Sequence, residues 1–302
     1  MAYRIRPDRP FSGALRKAAA GELQRAIALV TEQPEGLHEA IHQARRKLKR
    51  VRALYRLVAE DARDFQKREN ARLRDIAHTL SLVRDATALI ETAAYLEDHA
   101  LNTDEREALA HARTALTARR DTMAANEVDL PQKAEAAIAA CRDAIHALDG
   151  LSFDDGRQAT AKRIARGWRS NLFRAHEALA ACHSVAHEEV FHELRKCAQD
   201  YSMHLALLRD LWPSAMAAKL AEAKALVTVL GHEHDLALLV ALLDREPDVL
   251  NGGAELAHLL GAVIRQQQAL RREALEIAER LFADPPKAEA RVIEILWLEA
   301  SR

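Results

Sequence analysis

Residues that interrupt helices are scarce in this chain: 10 Gly and 8 Pro among 302 positions. A sandwich or barrel needs a turn signal after every short strand, and that supply is missing. Aromatic residues make up 4%, too few for a platform on which nucleic-acid bases stack. The 3 cysteines, Cys141, Cys182 and Cys197, form no C-x-x-C pair. Such an odd, scattered set argues against a disulfide framework and against a cysteine zinc site, and it suits a reducing cytosol. An excess of one charge is also missing, 44 basic residues standing against 45 acidic ones, so only the placement of each sign is informative. The first ten residues hold Arg4, Arg6, Asp8 and Arg9 and no apolar stretch, which argues against a signal peptide. No later apolar run reads as long enough to cross a bilayer. Catalytic signatures are absent too: no Walker loop, no His-Glu-x-x-His, no nucleophile turn and no Glu-x-Glu-x-Lys strand. These absences predict a soluble, cytoplasmic, non-catalytic protein whose 49% hydrophobic residues build a helical core.

What is present is a 3.6-residue apolar period over nearly the whole length, with no alternation of the kind a half-buried strand shows. Turn residues divide it into helices at about 12–31, with Ser12 as the cap, 36–60, 65–99, 104–127 and 131–149. Residues 151–156 read as a linker. The series then resumes at about 157–182, 186–212, 213–245, 254–282 and 288–298, the last three separated by Asn251-Gly252-Gly253 and Asp284-Pro285-Pro286.

The two halves repeat. His192 follows His42 by 150 residues, and the same offset joins Arg45 to Arg195, Arg46 to Lys196, Arg74 to Lys224, Leu80 to Leu230, Arg84 to His234, Asp85 to Asp235 and Arg16 to Arg166. A register held without insertion across two helices is evidence of duplication. It predicts residues 1–150 and 151–302 as two all-α lobes related by a pseudo-two-fold, with the repeated side chains lining the middle.

Those side chains are basic. Seven Lys or Arg fall between Arg45 and Arg56 with no carboxylate among them. At about 100° per residue, His42, Arg45, Arg46, Lys49, Arg52 and Arg56 share one sector, with Arg50 at its margin. Leu48, Val51, Ala53 and Leu54 are left for the core. A cationic helix face is usually just solvated, but here the partner helix keeps His192, Arg195 and Lys196. Like charges crowded without i,i+4 partners destabilise a helix unless an anion neutralises them. Guanidinium forks at one-turn spacing match a linear chain of phosphates. A duplex needs a broad exposed surface, and acidic residues expected on outer helices (Glu105, Glu107, Glu188, Glu189, Glu276, Glu279) repel it. Asp85 and Asp235, each beside a basic residue, are expected to pair with it.

The residues resemble the CHAD family, the conserved histidine α-helical domain, over about Arg4 to Trp297. The resemblance rests on "HQARRKLKRVRALYRL" from His42, "LSLVRDATALI" from Leu80, "FHELRKCAQDY" from Phe191 and "VLGHEHDLALL" from Val229. It implies two antiparallel four-helix bundles around a basic central channel, inorganic polyphosphate as ligand, and direction of proteins to polyphosphate granules. Carried over residue by residue, the ligand role falls on His42, Arg45, Arg46, Lys49, Arg50 and Arg52, with Arg56 on the same face. In the second half it falls on His192, Arg195 and Lys196, and further on Arg74, Arg84, Arg166, Lys224 and His234. The second repeat departs at Gln199, opposite Lys49, at Asp200, opposite Arg50, and at Ser202, opposite Arg52, so the first half is expected to dominate affinity.

No cofactor is implied, and neither a specific nucleic acid nor a membrane is expected as partner. Two other readings stay open. The outer faces suit a protein-interaction scaffold with a granule-associated partner. Among 14 His, the sets His232, His234, Asp235 and Cys182, His183, His187 contain zinc-like spacings, although i,i+2 side chains diverge and arginines repel a cation. Because imidazole titrates near neutrality, polyanion binding is expected to strengthen between about pH 8 and 6.

Overall fold

The computed structural model describes residues 3–184, 187–250 and 252–302. Ala186 and Asn251, expected at a helix start and in a turn, lie outside the described residues. All regular structure there is helical, with eleven α-helices and no strand. The first half contains α1 (Phe11–Glu32), α2 (Leu37–Leu57), α3 (Arg63–Thr79), α4 (Leu82–Asp98), α5 (Thr103–Asn126) and α6 (Leu130–Ala147). The second contains α7 (Arg157–Ser184), α8 (Glu188–Leu207), α9 (Pro213–Arg245), α10 (Gly253–Leu281) and α11 (Pro286–Ala300).

The expected helix over 65–99 is two helices. A continuous helix would have the Ala77 carbonyl accept the Ser81 N–H, but Arg45 Nη1 donates to that oxygen at 2.6 Å. The Ser81 N–H turns instead to the His78 carbonyl at 3.0 Å. A side chain inserted into the backbone ladder is a recognised cause of a sharp helix break. The corresponding stretch of the second half stays unbroken in α9.

Two further expectations need correction. Ser12 does not cap α1, which begins one residue earlier after Pro10. The Asp155 carboxylate accepts from both the Ser12 N–H (2.7 Å) and its hydroxyl (2.8 Å). The linker thus caps the first helix from across the molecule and is pinned to it. Glu105 is not on an outer surface either, being 5% exposed. It forms a reciprocal cap, in which Asn102 Oδ1 accepts the Glu105 N–H and Glu105 Oε2 accepts the Leu101 N–H, and it pairs with Arg265 at 2.9 Å.

α9 has the expected bounds, 213–245, but is more apolar than the sequence reading allowed. Over an 18-residue window its mean hydropathy is 1.6, enough by length and composition to span a bilayer. Half of that window is buried, because α4, α8 and α10 all pack on this helix. A helix enclosed on several sides is apolar all round.

One apolar core runs through both halves, and its ends meet where Phe11 stands edge-on to Trp297 at 6.0 Å. Within the halves α1 packs on α2 and α6, and α7 on α8 and α11. Across them α2 packs on α8, α4 on α9, and α5 on α10. Glu289 is buried in the second half and accepts from Trp168 Nε1 (2.9 Å), Tyr201 Oη (2.6 Å) and Lys219 Nζ (2.9 Å). Three donors compensate the cost of burying this carboxylate.

Candidate functional site

The pairing of α2 with α8 and of α4 with α9 sets the polar faces of four helices opposite one another. Between them lies a cavity of about 630 Å³. Ten Arg and Lys side chains line it: Arg45, Arg46, Lys49, Arg52 and Arg56 from α2, Arg74 from α3, Arg84 from α4, Arg174 from α7, and Arg195 and Lys196 from α8. The carboxylates among its lining are Asp85, Glu193, Asp200 and Asp235, and the imidazoles are His42, His192 and His234. No Phe, Tyr or Trp lines it. Seven of the ten cations come from the first half.

Twelve of the fifteen residues singled out from the sequence meet at this cavity. The other three face elsewhere. Arg50, at the margin of the α2 sector, turns to the buried Glu22 (3.3 Å) and stacks over the Tyr3 ring. Arg166 pairs with Glu60 and Asp61 beyond the end of α2. Lys224 is exposed on the first half of α9. Conversely, sequence reasoning missed Arg174 and Asn70. Arg174 has Gln24 opposite it in the repeat, so the 150-residue offset concealed it.

The basic run on α2 has more partners than its local sequence suggests, all of them distant in the chain. Arg56 Nη1 donates to Asp200, itself 4% exposed, at 2.6 Å, and Arg52 Nε donates to Asn70 Oδ1 at 2.8 Å. Asp85 lies 3.7 Å from Arg45 rather than pairing with the adjacent Arg84, whose guanidinium turns to other partners. Arg174 bonds Glu193 and approaches Asp200, while Lys196 Nζ reaches Glu193 at 3.2 Å. Arg84 bridges His42 Nδ1 (3.0 Å) and Glu91.

Other cations have no carboxylate in ion-pair contact among the described residues. Lys49 makes no hydrogen bond or ion pair among the described residues. Enclosure by the cavity walls, then the charges of Arg195, Arg45 and Arg52, bring its ammonium down to about 8. Arg52 is lowered to about 10, chiefly by burial and by Arg56. Arg195 is lowered by burial, and its buried Nε has no hydrogen-bond partner among the described residues. His192 and His234 stack with centroids 4.3 Å apart. Burial and adjacent cations lower both, His234 to about 3, and His42 is lowered by burial and Arg84. All three imidazoles thus titrate below their ordinary value when no anion is bound, His234 far below it. Burial and like charge each disfavour the protonated form, and a bound anion would oppose both effects.

The histidine sets with zinc-like spacing do not converge. His232 stacks on Tyr95 at 4.4 Å while His234 stacks on His192. His183 ends α7 paired with Glu279, whereas His187 caps α8. Among the described residues no group of three or more His, Cys, Asp and Glu is placed to hold a metal ion.

The model of one protein family, the CHAD domain, matches residues 14–244, a span that contains every lining residue of the cavity. No curated protein matches the chain.

Proposed function

The chain belongs to the CHAD family, and we propose that its cavity is a channel that holds inorganic polyphosphate without catalysis. The observation that carries this reading is the set of ten cations facing four carboxylates, with Lys49 and Arg195 lacking any acidic partner in contact. In this reading the halves are two helical lobes related by the 150-residue duplication. The like-with-like pairing of α2 with α8, α4 with α9 and α5 with α10 supports that symmetry. A cationic cavity whose lining holds no aromatic ring among the described residues suits linked phosphates better than bases, which need surfaces for stacking. The first half supplies most of the fixed charge and dominates affinity. Cytoplasmic residence at polyphosphate granules, with outer faces that hold a granule-associated protein, completes the proposal.

Calorimetric titration with long-chain polyphosphate, beside duplex DNA at matched phosphate concentration and moderate salt, tests it. Tight binding to polyphosphate and weak binding to DNA is the expected result; equal binding, or none, rejects the reading. Longer chains are expected to bind more tightly, because each engages more cations in one event.

The pH dependence follows from Lys49. A bound anion stabilises the ammonium, so the bound-state pKa lies above the free value of about 8. Affinity is then complete below about pH 8 and falls as pH rises through it. The falling limb is expected to flatten in Lys49→Arg, whose guanidinium stays charged. A bound anion raises the imidazoles as well, so any further strengthening from His42 and His192 runs from their anion-bound values down to free values that lie below the ordinary value of about 6.5.

A further inference from the structure

Most ion-paired lysines of this protein are held by acids close at hand. Lys133 is clasped by Glu127 and Asp129, Lys196 by Glu193, and Lys219 by Asp284 and Glu289. Lys49 has no such partner among the described residues. Its side chain is open to solvent inside the cavity, and no carboxylate or carbonyl holds its nitrogen. Around it stand Arg45 one turn earlier and Arg52 one turn later on α2, Arg195 and His192 on α8, and His234 and Asp235 on α9, the last the one acid whose charge reaches it. Three of these are guanidiniums whose charges bear directly on the Lys49 amine.

We propose that Lys49 is an acylation site, at which the amine takes the acyl group of a small acyl phosphate docked by Arg45, Arg52 and Arg195. The docking half of this proposal rests on reading the cavity as a phosphate site; the nucleophile half does not. The amine lone pair attacks the carbonyl carbon, the N–C bond forms, and the bond from that carbon to the phosphate oxygen breaks. Orthophosphate leaves with the electron pair and takes the proton released by the nitrogen, so an amide and hydrogen phosphate are the products. The guanidiniums oppose the charge that grows on the leaving oxygen, a service they give only to a phosphorylated donor. The amine is available because the same surroundings disfavour its charged form. The product is uncharged, so acylation removes from the cavity one of the cations without an acid partner and weakens polyanion binding.

The test uses the full chain without polyphosphate, incubated with acetyl phosphate at pH 7.5 and, separately, with an uncharged acetyl ester. Peptide mass spectrometry then follows the rate at each lysine. Lys162 and Lys224, exposed and outside the cavity, are the references. Acetyl phosphate is expected to modify Lys49 about tenfold faster than either reference, since a lowered pKa enlarges the free-amine fraction more than it weakens the nucleophile. The preference for Lys49 is expected to shrink with the uncharged ester. Rates at Lys49 no higher than at the references overturn the proposal, and equal preference with both reagents overturns the docking. Polyphosphate titration of the same unmodified preparation separates the two readings: tight binding with an inert Lys49 rejects acylation alone, and a reactive Lys49 in a chain that binds no polyphosphate rejects the ligand alone.

Discussion

Replacing Lys49 and Arg195 together by glutamine is expected to weaken binding of long-chain polyphosphate about a hundredfold or more while leaving the fold intact. In the proposed complex each side chain forms charge-assisted bonds to the anion worth roughly 1.5–3 kcal/mol; the two cations repel each other and both feel Asp235, so their losses are coupled rather than strictly additive. The salt dependence of binding should become shallower by about one to two in log–log slope, as two fewer counterions are displaced. Stability is expected to move the other way. Lys49 is disfavoured by burial and by three guanidiniums and is held by no acid, so Lys49→Gln alone relieves repulsion and raises the midpoint of thermal unfolding; Asp235 and Glu233 favour the charge of Arg195, so its loss offsets part of that gain in the double variant. Not every cation of the cavity behaves so. Arg56→Gln would strand the buried Asp200 and destabilise the protein. Arg50→Gln and Lys224→Gln, outside the cavity, should leave affinity within about twofold, below one phosphate contact. Were the double variant to bind as the parent does, the cavity would cease to be the binding site.

The second large effect is on stability. A methyl group at Gly167 would stand 1.8 Å from the carbonyl oxygen of Leu57 and 2.6 Å from its carbon. Both atoms are backbone, at the carboxyl end of α2, and cannot rotate away. Gly167→Ala must therefore push α7 off α2, at a cost of about 3 kcal/mol or more. Thermal unfolding should shift down by about 5–10 °C, given the scaling for chains of this size. Gly261→Ala is the control, because in α10 an added methyl group meets nothing within 4 Å. There the better helix propensity of alanine should leave stability unchanged or raise it by up to about 1 kcal/mol. Equal midpoints for the two variants would mean that α2 and α7 are not in the contact described.

Much of this protein was readable before any tertiary contact was known. Apolar periodicity located the helical stretches, merging only α3 and α4 into one, because the spacing of side chains along 3.6 residues per turn is a local property. The cationic sector of α2 and its counterpart on α8 were equally legible, since helix geometry alone aligns His42 with Lys49 and His192 with Arg195. What could not be read was which way each charge finally faces and what meets it there. Arg50 and Arg52 differ by two positions, yet one turns to Glu22 and the other to the cavity. Arg174 joined the site without a counterpart in the repeat. The break between α3 and α4 depends on a guanidinium from another helix, and Gly167 on a carbonyl 110 positions earlier. The chain by itself determined its helices and their polar faces, because those follow from neighbours a few residues apart. Only the tertiary structure decided the ion pairs, the close approach of α7 to α2 and the lowered protonation of Lys49 and the imidazoles. Each of those depends on desolvation and on charges from distant segments, and neither exists until the helices pack.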